Sequence, residues 1–190
     1  MIVSINLLTR HNRYTKHITH MHTAQDLMKE LRLEAAVTRR HLAVVPFDKA
    51  DYKPHEKSES LGRLAVHVAE IIAWWRSCIE HEALDFIDFE PRDISSNEEL
   101  LSYFDQLLNE AESTLMKSKE EDLDMDWSMK HGDIILFTLP KRQVLRIFCM
   151  NHLVHHRAQL GVYLRMLNVP LPATYGPSAD DEDVLLIIAY

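Results

Sequence analysis

The residues best suited to chemistry are His152 and His156, which lie in the run Asn151, His152, Leu153, Val154, His155, His156, Arg157, Ala158, Gln159. An i, i+4 pair on a helix places both rings on one face at neighbouring heights, where two nitrogens can address one divalent cation. The run sits in a helical pattern from about Pro140 to Asn168. At about 100° per residue, Leu145, Phe148, His152, His156, Gln159 and Tyr163 share the arc predicted to be buried. Ile147, Arg157, Gly161 and Arg165 fall towards the opposite side. Burying imidazoles and a carboxamide without partners costs about 1–3 kcal/mol for each group, so these side chains need partners.

A third imidazole comes from an earlier helical pattern, Ser60 to about His81. There Leu64, His67, Ile71, Trp74 and Cys78 share one arc, which puts His67 in mid-stripe. The pattern alone leaves two readings open: core histidines satisfied by carbonyls and water, or His67, His152 and His156 as ligands of one ion. Glu70, one turn after His67, lies at the edge of the same face. It is either a rim residue in solvent or the group that orients a ligand and accepts protons in catalysis. Gln159, one turn beyond His156, is placed to hydrogen-bond a ligand or a bound water.

The elements that must position these residues are mostly helical. Thr23 with Asp26 caps a helix to Val44, whose core stripe is Leu27, Leu31, Ala35, Thr38 and Leu42, and Pro46 stops it. Pro46 to Glu59 has no periodicity and reads as a loop. Ala83 to Ser95 carries Asp85, Asp88, Glu90 and Asp93, but it lacks the glycine and ligand periodicity of a calcium loop and reads as solvated. Ser96 with Glu99 opens a third helix, carrying Leu100, Phe104, Leu107, Leu108, Ala111 and Leu115. Trp127 to Thr138 reads as a short hairpin turning at His131, Gly132 and Asp133. Pro140 opens the last helix, which closes before Pro170. The expected fold is therefore all-α: a four-helix bundle with crossover connections over residues 23–190 and a small β-hairpin before the last helix.

Composition narrows the function. The chain has 190 residues and a formal net charge of −8, which argues against a nucleic-acid partner. Cys78 and Cys149 fall on apolar helix positions, as expected of reduced core thiols in a cytoplasmic protein. No apolar run is long enough to span a bilayer, so no membrane association is expected. Residues 1–22, with His11, His17, His20 and His22, read as a flexible extension with solvated histidines, and Met21 is placed to be an alternative start. The apolar run Val184 to Tyr190 either covers the core or builds a subunit interface.

Taken together, Pro54, His55, Glu56, Lys57 and Ser58 leading through Leu61 into Ala65, Val66 and His67, the run His152 to Leu160 with Tyr163, Leu164 and Arg165, and Pro172, Tyr175, Gly176, Ser178, Ala179 and Asp180 resemble the DinB/YfiT-like family. The likeness covers about Met21 to Asp181. That family is named for DNA-damage induction. It implies a four-helix bundle in which a divalent metal ion, zinc or nickel, is held by residues matching His67, His152 and His156, often within a homodimer. His155 matches a position that is not a ligand. Ala158 and Tyr52 depart from a common glycine and a common tryptophan, and neither touches the implied ligands. Relatives include transferases that act with a low-molecular-weight thiol on a small-molecule substrate. Two functions follow as expectations: a metal-dependent enzyme of S-transferase or hydrolase type, or a non-catalytic stress-response protein whose metal is structural or sensory.

Overall fold

The computed structural model describes residues 23–181, so the N-terminal extension and the run Val184 to Tyr190 lie outside the described residues. The described chain is mostly helical, with one small sheet. Helix α1 is Ala24–Ala43, capped by Thr23, whose hydroxyl accepts from the Asp26 amide at 3.1 Å. Its stripe Leu27, Leu31, Ala35, Thr38 and Leu42 is buried, as the spacing predicts. Helices α2 (Leu61–Glu70) and α3 (Ala73–Glu80) occupy the segment expected to be one helix. The break falls at Ile71 and Ile72, where the amides of Ile72, Trp74 and Trp75 each bond three residues back, tightening the turn. Helix α4 is Asn97–Lys117. Its Ser96 cap accepts from the Glu99 amide at 3.1 Å, and the Glu99 carboxylate returns to the Ser95 amide at 3.2 Å.

The sheet departs from the all-α expectation. Strands β2 (Asp126–His131) and β3 (Ile134–Pro140) form the expected antiparallel hairpin. Strand β1 (Ala83–Asp85), in the stretch read as a solvated loop, pairs in parallel with β2, giving the order β1-β2-β3. Asp85 joins the two parts by accepting from the amides of Ile87 at 3.0 Å and Gly132 at 2.9 Å. Gly132 has φ +59 at the hairpin turn, a conformation that costs glycine little.

The last helical rod runs from α5 (Lys141–Gln143) through a π-helical stretch, Val144–Met150, into α6 (Asn151–Met166). A π stretch adds a residue to each turn and so changes the phase of the helix. Before it ends, Leu145, Cys149 and Met150 are buried; beyond it the buried stripe is Leu153, Arg157, Leu160 and Leu164. The histidines therefore flank the stripe instead of occupying its centre, and Gln159 is exposed. Arg157, expected on the solvent side, is only 2 % exposed. It is buried because its charge is matched: Glu34 Oε2 lies at 2.6 Å, and Thr38 Oγ1 and the Tyr175 hydroxyl accept from the guanidinium at 3.1 and 2.6 Å. The Tyr175 hydroxyl donates in turn to the Glu34 carboxylate at 2.8 Å, tying the C-terminal segment to α1.

Helix α4 packs on α1, α2 and α3, and α6 packs on α1 and α2. Among the described residues no helix is long and apolar enough to cross a membrane. The matched pair around Arg157 yields a stability test. Glu34→Leu leaves a buried cation without its anion and should cost about 3–5 kcal/mol, whereas Glu34→Leu combined with Arg157→Met should recover most of that loss in urea denaturation.

Candidate metal centre

Helices α2 and α6 bring His67, His152 and His156 together, with one potential ligand atom from each ring lying within 4.8 Å of the others. Among the described residues this is the one group of such donors. His67 Nε2 lies 3.4 Å from His152 Nε2, and His152 Nε2 lies 2.7 Å from His156 Nε2. Nitrogens this close need a proton or a cation between them. His156 Nδ1 is 2.7 Å from Gln159 Oε1, and because a carboxamide oxygen only accepts, Nδ1 carries the ring proton. That leaves His156 Nε2 with a bare lone pair. A proton on His152 Nε2 can serve only one neighbour, while one divalent cation serves all three nitrogens, so the donor set fits the divalent metal that the family resemblance implies.

Burial keeps these rings neutral. It pushes His67 down to about 3, with His156, His152 and Arg63 adding to the shift. His152 is pushed down to about 4 by burial, then by His156 and His155. His156 is lowered less decisively, because its bond to Gln159 opposes the desolvation. Neutral imidazoles are the form that ligates metal.

An aromatic wall fixes the ring orientations. Trp74 stacks on Phe148 at 4.9 Å between centroids, and both meet His152 edge-on, at 4.9 and 5.3 Å. Trp74 also contacts His67 at 5.8 Å, with Phe86 behind it at the same separation. On the far side of His67 stands Glu70, which is 4 % exposed and thus buried, not a solvated rim residue. Its Oε2 takes Arg63 Nη1 at 2.8 Å and lies 4.0 Å from His67 Nδ1; its Oε1 accepts from the Arg92 amide at 3.0 Å. The 4.0 Å gap is too long for a hydrogen bond, so Glu70 acts on His67 through its field and shape. His155 packs its ring against His156 at 4.8 Å and is not part of the donor group.

Sequence reasoning passed over Arg63 and Arg92. Arg63 precedes His67 by one turn, a spacing that could have flagged it. Arg92 lies in an irregular stretch with no periodicity to read. Trp74 and Phe148 were visible as stripe residues, though not as the wall of a site.

Two predictions follow from this geometry. His67→Ala, His152→Ala and His156→Ala should each lose stoichiometric metal in elemental analysis of protein purified without nickel resin. His155→Ala should keep it, and Gln159→Leu should weaken binding by about 10–100-fold. The second concerns metal-free protein. The folded-state values of His67 and His152 lie below the free-imidazole value of about 6.5, so below that pH the unfolded chain binds protons that the folded one refuses. Stability should be fully present above pH about 6.5 and fall progressively towards pH about 4, and His67→Gln should flatten the dependence of the urea midpoint on pH.

Comparison with known proteins agrees with the fold. A DinB-like protein from Bacillus subtilis, known from a crystal structure, matches with a TM-score of 0.62 and 21% identity, over 78% of this chain and 96% of its own. A DinB-like protein from Bacillus cereus matches with a TM-score of 0.61 and 18% identity, over 80% of this chain and 98% of its own. At these identities the likeness is one of fold. No curated protein matches. The family model described as the DinB family matches residues 18–183, and the chain belongs to that family.

Proposed function

We propose that this chain is a metal-dependent enzyme holding zinc or nickel on His67, His152 and His156, and that it transfers a small thiol or hydrolyses a small-molecule substrate. The observation that carries this reading is the convergence of three neutral imidazole nitrogens at a partly exposed place between α2 and α6. A divalent ion with three imidazole ligands supplies Lewis acidity and an exchangeable position that lowers the pKa of a bound thiol or water. The protein's own part is to orient, shield and handle protons.

His156 is turned by Gln159, which holds the tautomer that keeps Nε2 free for ligation. His67 is flanked by Glu70. Both Glu70 oxygens have partners, one on Arg63 and one on the Arg92 amide, so its first role is to position His67. As the nearest carboxylate on that side, it is also the proton acceptor we assign. Trp74 and Phe148, backed by Phe86, pack edge-on against His152 and hold its ring in place. The fold reading that accompanies this is a four-helix bundle with crossover connections, supported by the packing of α1 on α4 and α6 and of α2 on the same two helices. A cytoplasmic homodimer is the assembly we propose.

The deciding experiment loads the protein with cobalt and follows its visible ligand-field bands while water-exchange probes and low-molecular-weight thiols are added. Thiols should shift the bands at sub-millimolar to millimolar concentration, on the order of common enzyme affinities for small substrates. Bands that no thiol or anion perturbs would mean a closed fourth position and would replace catalysis with a structural or sensory metal.

A further inference from the structure

Helix α6 presents its histidines on one face and a groove on the other. At about 100° per residue, Val154, Ala158 and Gly161 lie opposite His152 and His156. Together with the C-terminal segment 171–179 they line a cavity of about 650 Å³. Ala158 and Gly161 leave the helix face shallow there, and a Cβ added at Gly161 would meet no atom beyond its own helix within 4 Å. The outer wall is anchored. The Ala173 carbonyl accepts from Arg40 Nη2 at 3.3 Å, the Tyr175 hydroxyl bonds Glu34 and Arg157, and Asp180 accepts from Arg165 Nη1 at 3.0 Å. Val162 and Met166 line the same cavity and are each more than half exposed, so apolar surface is left to solvent.

The polar feature of the cavity is His41, which lines it and is 3% exposed. Its Nδ1 lies 3.0 Å from the Val37 carbonyl oxygen, which only accepts, so Nδ1 carries the proton and Nε2 presents a lone pair. Burial, with the charges of Arg157 and Arg40 adding to it, holds the ring below the usual imidazole value and so neutral. Nε2 has no donor among the described residues, and a buried acceptor without a donor is costly. Arg157 also lines the cavity, but its charge is already matched by Glu34, with Thr38 and Tyr175 as further partners. The cavity therefore calls for apolar surface and one neutral hydrogen-bond donor.

We infer that this cavity is an accessory binding site, separate from the histidine centre, for a neutral apolar molecule with a single hydroxyl. The hydroxyl donates to His41 Nε2, and the carbon chain lies along α6 over Ala158 and Gly161 towards Met166. The Arg157 charge acts on His41, which sets the polar end at that level of α6, and Met166 lies about 13 Å further along the axis. That span suits a straight alkyl chain better than a compact ring. A carboxylate head is disfavoured, because it brings lone pairs against the lone pair of Nε2.

The test titrates the full chain by calorimetry at neutral pH with 1-octanol, with its isomer heptyl methyl ether, which has similar length and no donor, and with octanoate. The alcohol should bind about tenfold more tightly than the ether, and octanoate more weakly than the alcohol. His41→Phe, which keeps an aromatic ring and removes the acceptor, should bring the alcohol down to the affinity of the ether. Gly161→Leu fills the floor of the groove at a position where a helix favours leucine over glycine, and it should abolish binding of both isomers. The comparison of the two isomers on the unaltered chain decides the matter even if His41→Phe does not fold. Equal affinity for the isomers, tighter binding of octanoate, or binding that survives Gly161→Leu overturns the site. Saturable binding of neither isomer also overturns it, and is the result expected if the run Val184 to Tyr190 or a second copy of the chain already fills the groove. None of these outcomes bears on the metal reading.

Discussion

The structure depends on a crowding of lone pairs. Three imidazole nitrogens from helices 85 residues apart in sequence are pressed to within a few ångströms, where neutral rings cannot satisfy one another with protons alone. Such an arrangement persists only if neighbours prevent the rings from rotating away. Trp74 and Phe148 do this from one side by stacking, and Gln159 does it by fixing a tautomer. Glu70, held by Arg63 and the Arg92 amide, does it from the other. Each restraint comes from a different element, so the centre reports on the packing of the whole helical assembly.

The rod that carries two of the histidines is phased by its π stretch and by Arg157. The π stretch lets Val144, Leu145, Cys149 and Met150 fill the core and then resets the face, so that Leu153, Arg157, Leu160 and Leu164 continue it. A cation in that stripe is tolerable because Glu34, Thr38 and Tyr175 surround it. The consequence reaches the site. With Arg157 inside, His152 and His156 lie on the flank of the stripe, packed by aromatics yet open to solvent on one side.

Much of this was legible in the sequence, because helical periodicity and capping are local. Thr23 and Ser96 announced their helices correctly, and the spacing of His152 and His156 put them on one face with His67 as their counterpart. What escaped had non-local causes. Strand β1 is too short to show a period and exists because β2 offers it an edge. Arg157 read as a solvent residue because its partners lie more than a hundred residues away, on α1. Glu70 read as a rim residue because neither the amide of Arg92 nor the depth of the α2 end is visible in a period. Ile71 and Ile72 hid the break in the second helix, since apolar residues satisfy either reading.

The flank position also explains why the surroundings of the centre are so unlike on its two sides. A ligand set buried in the middle of a helical core would have apolar neighbours all round, and any group approaching the ion would have to displace packing. Here Trp74 and Phe148 supply aromatic surface against His152, and α2 supplies the buried carboxylate of Glu70 paired with the Arg63 guanidinium. Low dielectric on one side strengthens every charge interaction on the other. The centre is therefore flanked by aromatic rings at His152 and by a buried ion pair at His67, two unlike surroundings within the width of one donor group.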